Sequence, residues 1–176
     1  KVLYDAIKDF AGVSQIVHAQ YYLSVANSLP AASVKEVIAL AKTRTPRLTY
    51  ASSGLGSANH LAGELFKTMA GIEMTHIPYK GGAPALSAVI AGEVQLSLTS
   101  GVAVPHAKAG RLKVIAVTGN KRTPLAPDIP TVHEAGLAGY EVVGWYGMAA
   151  PARTPRTIVE KLNTTINRLL PELRER

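Results

Sequence analysis

Between Arg47 and Thr118, short apolar runs alternate with helical patterns, and this alternation limits the chain to an α/β fold. The runs predicted as strands are 47–51, 73–78, 94–98 and 113–118, and the segments predicted as helices are 57–70, 83–91 and 103–109. Such alternation produces parallel crossover units, so we expect a mostly parallel sheet with helices on both faces. One more helix is predicted ahead of these units, from a capping box formed by Ser33 and Glu36.

Both ends of the chain carry further elements. Two β-leaning runs, 13–19 and 21–25, precede the alternating region, and an aromatic β-leaning run, 140–148, follows it. The last helix is predicted to begin at Thr154 and Pro155 and to be interrupted at Pro171. The apolar stripe of this last helix consists of Ile158, Leu162, Ile166 and Leu169. The predicted buried side of helix 57–70 consists of Leu61, Leu65, Phe66 and Met69.

Composition narrows the possible functions. Hydrophobic residues make up 47% and charged residues 18% of the 176 residues, which is typical of a globular chain. The absence of cysteine excludes disulfides, thiolate metal sites and cysteine nucleophiles. The net charge of +7 arises from scattered basic residues without a stripe of interleaved aromatics, so we expect no nucleic-acid partner.

The turn from Ser52 to Ser57, SSGLGS, lies between a predicted strand and a predicted helix. Gly54 and Gly56 allow close approach of a ligand to the backbone, and the unpaired N–H groups of residues 57–59 would face an anion at the positive end of the helix dipole. The alternative is that the turn only connects the two elements, with Ser57 as an ordinary N-cap.

Nucleotide-binding motifs do not fit this turn. Gly54 and Gly56 give G-x-G, but Asn59 stands where a dinucleotide motif has its third glycine, and no acidic residue closes the next strand. The Gly-Lys-Ser/Thr run of a P-loop is also absent.

Two further polar, Gly-containing turns follow the next two strands, at 78–84 and 98–101. Because ligands bind outside the carboxyl ends of strands in an open parallel sheet, we expect the three turns to converge on one edge. Lys80 is either a counter-charge for an acid or a solvated lysine.

The sequence offers no catalytic or metal-binding constellation. The five histidines show no i, i+4 pair and no carboxylate at ligand spacing, and His60 is interpreted as a helix-face residue that packs or hydrogen-bonds locally. No nucleophile elbow and no acid–base carboxylate pair are present. We therefore expect a protein that is not an enzyme and has no cofactor.

The stretch from Tyr50 to Phe66, YASSGLGSANHLAGELF, resembles the signature of the Bug-type solute receptors, the periplasmic binding proteins of tripartite tricarboxylate transporters. Further segments resemble that family in the same order: HIPYKGGAPAL at 76–86, PHAKAGRL at 105–112, AVT at 116–118 with Lys121 and Arg122, and PTVHEAG at 130–136. Asp9 and Phe10, WYG at 145–147 and APARTP at 150–155 extend the likeness over nearly the whole chain.

The resemblance implies a type II periplasmic-binding-protein-like fold, of which this chain is similar only to the middle and later part. By that comparison the chain is a fragment, and residues 28–138 are the second, ligand-binding domain. Residues 1–27 and 139–176 are then crossing strands and a helix that belong to a partial first domain. We expect a periplasmic protein whose full-length form contacts membrane transporter subunits. The fragment's uncovered apolar elements favour self-association.

The same resemblance implies that the ligand is a small organic acid whose carboxylate is held by the three turns. The ligand-binding residues carried over are Ser52, Ser53, Gly54, Gly56, Ser57, Tyr79, Lys80, Gly81, Thr99 and Ser100. Many relatives have an Asp-Asn or similar pair where this chain has Thr99 and Ser100, so the acid stays open among di- or tricarboxylates, acidic amino acids and aromatic acids.

Two alternatives belong to other functional classes. One is the effector-binding domain of a transcription regulator, which would carry an N-terminal winged helix in the full gene. The other is an α/β enzyme that acts on a small acid, which turnover of a bound acid would reveal.

Overall fold

A computed structural model describes residues 3–174 and divides the chain into two compact units. The larger unit comprises residues 20–144, and the smaller unit comprises residues 1–19 and 145–176. These limits differ from the predicted domain limits at 27/28 and 138/139. The assignment of the outer segments to a first domain of a longer receptor stays a prediction, and residues 1–2 and 175–176 of those segments lie outside the described residues.

The larger unit is built on a five-stranded sheet in the order β4-β3-β5-β2-β6. Its strands are β2 (Tyr22–Val25), β3 (Thr49–Ser52), β4 (Thr75–Pro78), β5 (Leu96–Thr99) and β6 (Lys113–Val117). Strand β3 runs parallel to β4 and β5, whereas β2 runs antiparallel to β5 and β6. Four strands therefore share one direction and β2 opposes them, which confirms the prediction of a mostly parallel sheet.

Helices cover both faces of this sheet, as predicted. The helices of the larger unit are α1 (Val34–Thr43), α2 (Ala58–Ala70), α3 (Gly82–Ala91) and α4 (Ala103–Lys108). Helices α1 and α2 pack in a core cluster with Leu23 and Tyr50, whereas α3 and α4 pack with Tyr22 and Ala51 from the alternate strand positions. Side chains that alternate along β2 and β3 thus anchor opposite helix layers.

The predicted buried side of α2 is wrong for three of its four residues. Leu61, Leu65 and Met69 are 58%, 37% and 38% exposed, and only Phe66 is buried. The buried side instead contains Asn59, Ala62, Gly63 and Phe66. A Cβ atom on Gly63 would lie 2.4 Å from the ring of Tyr50. The helix therefore approaches the sheet through its small residues, because the ring of Tyr50 leaves no room for a leucine stripe there.

Two long strands and a helix make up most of the remaining structure. Strand β1 (Phe10–Gln20) pairs with β7 (Val143–Pro151) in a two-stranded sheet, and α5 spans Arg156–Arg174. The predicted interruption at Pro171 is wrong, because α5 continues through it to its end three residues later. A proline so close to a helix end disturbs few intrahelical hydrogen bonds. None of the helices within residues 3–174 is long and apolar enough to span a membrane.

Candidate functional site

The three predicted turns leave the sheet at the same edge. Strands β3, β4 and β5 run in one direction and end at Ser52, Pro78 and Thr99. Ser52 is the register partner of Pro78, and its carbonyl oxygen accepts a hydrogen bond of 2.9 Å from the N–H of Tyr79. This is the edge at which open α/β sheets bind ligands.

Side chains at both ends of the first turn hold its backbone. The hydroxyl of Ser52 accepts a 3.1 Å hydrogen bond from the N–H of Gly54. The side-chain oxygen of Asn59 accepts one of 2.8 Å from the Ser53 hydroxyl and a longer one, 3.4 Å, from the Ser53 N–H. Asn59 is 6% exposed. A buried amide oxygen therefore fixes the direction of the Ser53 side chain.

The second half of the turn depends on its glycines and on the first turn of α2. Gly54 and Gly56 have positive φ values of 134° and 76°, which other residues rarely adopt. The N–H of Gly56 donates to Nδ1 of His60 at 3.1 Å, and the N–H of Ser57 donates to the carbonyl of Gly54 at 3.2 Å. The turn is thus closed on itself and on the helix that follows.

Ser57 is the N-cap of α2. Its hydroxyl oxygen accepts a 3.4 Å hydrogen bond from the N–H of His60 and lies 2.6 Å from the carbonyl oxygen of Gly54 and 2.7 Å from Oδ1 of Asn59. The hydroxyl has one proton, so it donates to one of these two acceptors at a time. The structure therefore shows Ser57 as the cap of α2 and as a donor within the turn itself.

Among the described residues, three N–H groups of the turn and the start of α2 remain unpaired. Within residues 3–174, the backbone N–H groups of Leu55, Ala58 and Asn59 have no hydrogen-bond acceptor. The expectation that Ser57 also offers a free N–H is wrong, because that group closes the turn onto Gly54. Ala58 and Asn59 occupy the first two positions of a 13-residue helix, where free N–H groups and the helix dipole attract an anion.

A cluster of rings and charges from β3, β4 and α2 lies beside the turn. The ring of His76 lies 4.1 Å from that of His60 and 4.9 Å from that of Tyr50, measured between centroids. The Tyr50 hydroxyl donates to Glu64, which also accepts two 2.9 Å hydrogen bonds from Lys67. His60 is confirmed as a helix-face residue with local hydrogen bonds, and the sequence did not indicate its partner His76.

This cluster shifts the pKa values of its members. Burial raises the pKa of Tyr50, and the hydrogen bond to Glu64 raises it further. Burial also acts to raise the pKa of Glu64, but hydrogen bonds from Tyr50 and Lys67 outweigh it and hold this pKa below its usual value. Burial, followed by the charge of His60, lowers the pKa of His76 below 6.5. The neutral imidazole of His76 is therefore favoured in the folded protein.

The second turn contacts the first through Tyr79. A Cβ atom on Gly54 would lie 3.6 Å from the Tyr79 carbonyl oxygen, so these two backbone segments are close neighbours. Gly81 is the N-cap of α3, with a φ of 119° and no side chain that could cap the helix. Lys80 is exposed on this turn. Of the residues predicted here, Tyr79 and Gly81 lie in the turn itself, and Lys80 extends into solvent.

The third turn contributes a buried hydroxyl. Thr99 is 2% exposed, and within residues 3–174 its Oγ1 has no hydrogen-bond partner. Ser100 follows it and lines a cavity of about 340 Å³ between α3 and the segment that contains α4. The structure thus brings Thr99 and Ser100 to the same edge as the other turns, but it shows no hydrogen bond from the Thr99 side chain to them.

Sequence reasoning missed the residues that hold the first turn. The sequence does not indicate Asn59 or His76 as parts of the site, and it marks Asn59 only as the residue at the third glycine position of a dinucleotide motif. The side-chain oxygen of Asn59 at that position accepts a hydrogen bond from the Ser53 hydroxyl and so holds the turn. The register of β3 and β4 places His76 opposite Tyr50, and no local sequence pattern indicates this pairing.

Comparisons with known proteins agree on one family. A family described as "Tripartite tricarboxylate transporter family receptor" matches residues 1–174 of the chain. The Rhodopseudomonas palustris protein Rpa4515, solved with adipate, is 44% identical, with a TM-score of 0.88 over 93% of this chain and 55% of that protein.

Two further solved structures are similar. MatC from Rhodopseudomonas palustris, with bound malate, is 32% identical, with a TM-score of 0.87 over 96% of this chain and 57% of that protein. The periplasmic binding protein BugD is 32% identical, with a TM-score of 0.83 over 89% of this chain and 53% of that protein. The chain spans about half the length of the curated relatives it matches.

Proposed function

The chain belongs to the tripartite tricarboxylate transporter receptor family, and on this premise we propose that it is part of a periplasmic receptor that captures a small organic acid. Two of the solved relatives, Rpa4515 and MatC, were solved with adipate and malate, respectively. In this proposal the protein binds and releases its solute without chemical change, and membrane subunits of a transporter receive it.

The observation that carries this proposal is the set of unpaired N–H groups at the turn 52–57. Those of Leu55, Ala58 and Asn59 have no acceptor within residues 3–174, and two of them begin α2. A carboxylate bound there would accept charge-assisted hydrogen bonds, each stabilising the complex by about 1.5–3 kcal/mol. Neutral backbone groups held in place by Asn59 and His60 provide these donors without any fixed cation.

The other two turns complete the same half of the site. The backbone at Tyr79 flanks the first turn, Gly81 is the N-cap of α3 two residues later, and the Thr99 hydroxyl is a buried donor without a partner within the described residues. We assign Lys80 a weaker role, because an exposed lysine contributes little through water and salt. Ser52, Ser53, Gly54, Gly56, Ser57 and Ser100 shape the turns.

The ligand class that fits best is a small dicarboxylate. Adipate and malate in the relatives both carry two carboxylates, and the turns described here provide donors for one of them. The second carboxylate would then be held by parts of the receptor beyond this chain. We expect the isolated 176-residue chain to bind dicarboxylates weakly or not at all, because it holds only one side of the ligand.

The test is calorimetric titration of a full-length receptor that carries this sequence. The ligand panel contains adipate, malate, succinate, citrate, glutamate and benzoate, so that dicarboxylates are compared with the other acid classes. Binding of none of them, or turnover of one, would overturn the proposed function. An N-terminal winged helix in the full gene would favour the regulator alternative.

A backbone variant tests the turn itself. Ala58 is the first residue of α2, and Ser57 before it has an extended conformation with ψ of 157°, so Ala58→Pro fits the fold and removes one N–H group. We expect about a tenfold or greater loss of affinity. Ala58→Ser keeps the N–H and is the matched control. Equal affinity of the two variants would remove this N–H from the site.

Ser57→Ala provides a second test. It removes the N-cap of α2 and should lower the free energy of unfolding by about 1 kcal/mol. If Ser57 also contributes to binding, affinity falls beyond what the Ala58→Ser control shows. Unchanged affinity would limit Ser57 to capping.

A further inference from the structure

We propose that His60 is a positioning residue of the carboxylate-binding turn, and that the unprotonated Nδ1 of its ring is the atom that matters. This inference rests on the proposed function of the turn. His60 does not contact the solute in this proposal. It holds the N–H of Gly56 and thereby fixes the direction of the neighbouring N–H groups that bind the carboxylate.

The Gly56–His60 hydrogen bond sits between the proposed donors. Gly56 follows Leu55 and lies two residues before Ala58, and its N–H donates to Nδ1 of His60 at 3.1 Å. Gly56 has a φ of 76°, and as a glycine it has no side chain that could restrain its backbone. The hydrogen bond to His60 therefore connects the middle of the turn to helix α2.

The rest of the turn shows why this contact is distinct. The N–H groups of Ser53, Gly54 and Ser57 are bound by Asn59, Ser52 and the Gly54 carbonyl, which are all acceptors at every pH near neutrality. An imidazole nitrogen accepts only while it is unprotonated. His60 is thus the acceptor in the turn that a single proton can remove.

Neighbouring side chains hold the His60 ring in place. Its ring is nearly parallel to that of Tyr50, at 8° and 6.5 Å, and it lies 4.1 Å from the ring of His76. The charged groups that act on it are Glu64 from α2 and His76 from β4, and Lys67 of α2 acts on both of these groups. Because Nδ1 accepts from Gly56, the neutral ring carries its proton on Nε2.

The experiment compares three variants of the full-length receptor by calorimetry with adipate and malate. His60→Leu removes the acceptor and should weaken binding at least tenfold. His60→Asn places a side-chain oxygen near the position of Nδ1 and should recover affinity to within about threefold of the wild type. His133→Leu is the matched control, because Nδ1 of His133 also accepts a glycine N–H, from Gly139 at 2.8 Å, in another loop.

A second measurement does not depend on binding. In ¹⁵N-resolved NMR spectra of the wild type, the Gly56 amide resonance should shift with the same pH midpoint as the His60 ring, and in His60→Asn this shift should disappear. This readout holds even if His60→Leu folds poorly, and a purely structural role for the ring would not produce it.

The outcomes separate the two proposals. Equal affinity of His60→Leu and the wild type, equal losses in the Leu and Asn variants, or a Gly56 resonance independent of His60 would overturn the positioning role. Failure of the wild-type receptor to bind any acid would instead overturn the proposed function, while the NMR titration would still decide whether His60 holds Gly56.

Discussion

The hydroxyl oxygen of Ser52 lies 2.6 Å from Nε2 of His76, so the last residue of β3 is joined to β4 by a side-chain hydrogen bond as well as by the sheet. The same hydroxyl accepts the N–H of Gly54, and the ring of His76 lies against those of His60 and Tyr50. The start of the turn is therefore connected to β4 and to α2.

This arrangement predicts a pH dependence of stability. Burial and the charge of His60 lower the pKa of His76 below 6.5 in the folded state, so as the pH falls the unfolded chain takes up this proton first. The contribution of neutral His76 to the free energy of unfolding is fully present above pH 6.5. It is lost as the pH falls through the pKa of His76 in the folded state. The slope from this one group cannot exceed about 1.4 kcal/mol per pH unit.

The measurement is urea denaturation of the wild type and of His76→Gln at steps between pH 5 and 8. Glutamine keeps a polar group for Ser52 and does not titrate. We expect the free energy of unfolding to fall less steeply towards pH 5 in the variant. Identical pH profiles for both proteins would show that His76 has an ordinary pKa.

Because Gly63 lies close to the Tyr50 ring, we expect Gly63→Ala to destabilise the protein, although helix propensity alone favours alanine. Alanine is the better helix former, but a Cβ at Gly63 would lie 2.4 Å from the Tyr50 ring. We expect Gly63→Ala to lower the free energy of unfolding by about 1–3 kcal/mol through overpacking. Gly82→Ala, in the first turn of α3 with nothing within 4 Å of the added Cβ, should be neutral or stabilising. Equal melting temperatures of the two variants would contradict this account.

The course of the chain could be predicted because local signals and tertiary structure agree. The capping box of Ser33 and Glu36 correctly predicted the start of α1. In the structure Glu36 accepts a hydrogen bond from the N–H of Ala32 rather than from that of Ser33. Gly71 ends α2 in the left-handed conformation with a φ of 60°. These features depend on a few neighbouring residues, so a single sequence is enough to locate them.

The buried face of α2 could not be predicted from hydrophobicity. Leu61, Leu65 and Met69 form one apolar stripe, and Ala62 and Phe66 lie on the next. The choice between them depends on the size of Tyr50 on the opposing strand, which no local pattern contains. The roles of Asn59 and His76 could not be predicted from the sequence for the same reason, because tertiary packing and strand register determine their partners.

Asn59 provides a charge test of the binding site. Its side-chain oxygen lies 2.8 Å from the Ser53 hydroxyl and 2.7 Å from the Ser57 hydroxyl. Asn59→Asp keeps an acceptor for both hydroxyls but places a negative charge beside the proposed carboxylate position. At a separation of about 5 Å and an effective dielectric constant of about 40, the repulsion is about 1.7 kcal/mol, or more than tenfold in affinity.

The control for this variant is Asn120→Asp, which makes the same charge change at an exposed loop residue. Calorimetry with a dicarboxylate and the melting temperature without ligand separate binding from folding. We expect affinity to fall only in Asn59→Asp. Equal affinities in both variants would indicate that no carboxylate binds near Asn59.

The smaller unit predicts the association state of the 176-residue chain. Trp145 is 69%, Ile158 48% and Leu162 39% exposed, and an open groove of about 950 Å³ lies between the strands and α5. Apolar surface on this scale favours burial against another copy when nothing else covers it. Light scattering should therefore show dimers or larger species at micromolar concentrations.

Replacing Ile158 and Leu162 together by lysine should shift the chain towards monomers, because the charged side chains cannot be buried in a contact between copies. The matched control replaces Thr157 and Thr164, two exposed residues of the same helix, by lysine and adds the same charge. If the control dissociates the chain equally, general charge repulsion and not the apolar stripe of α5 determines the association. A monomeric wild type would contradict the prediction directly, since these apolar side chains would then tolerate exposure to water without a partner.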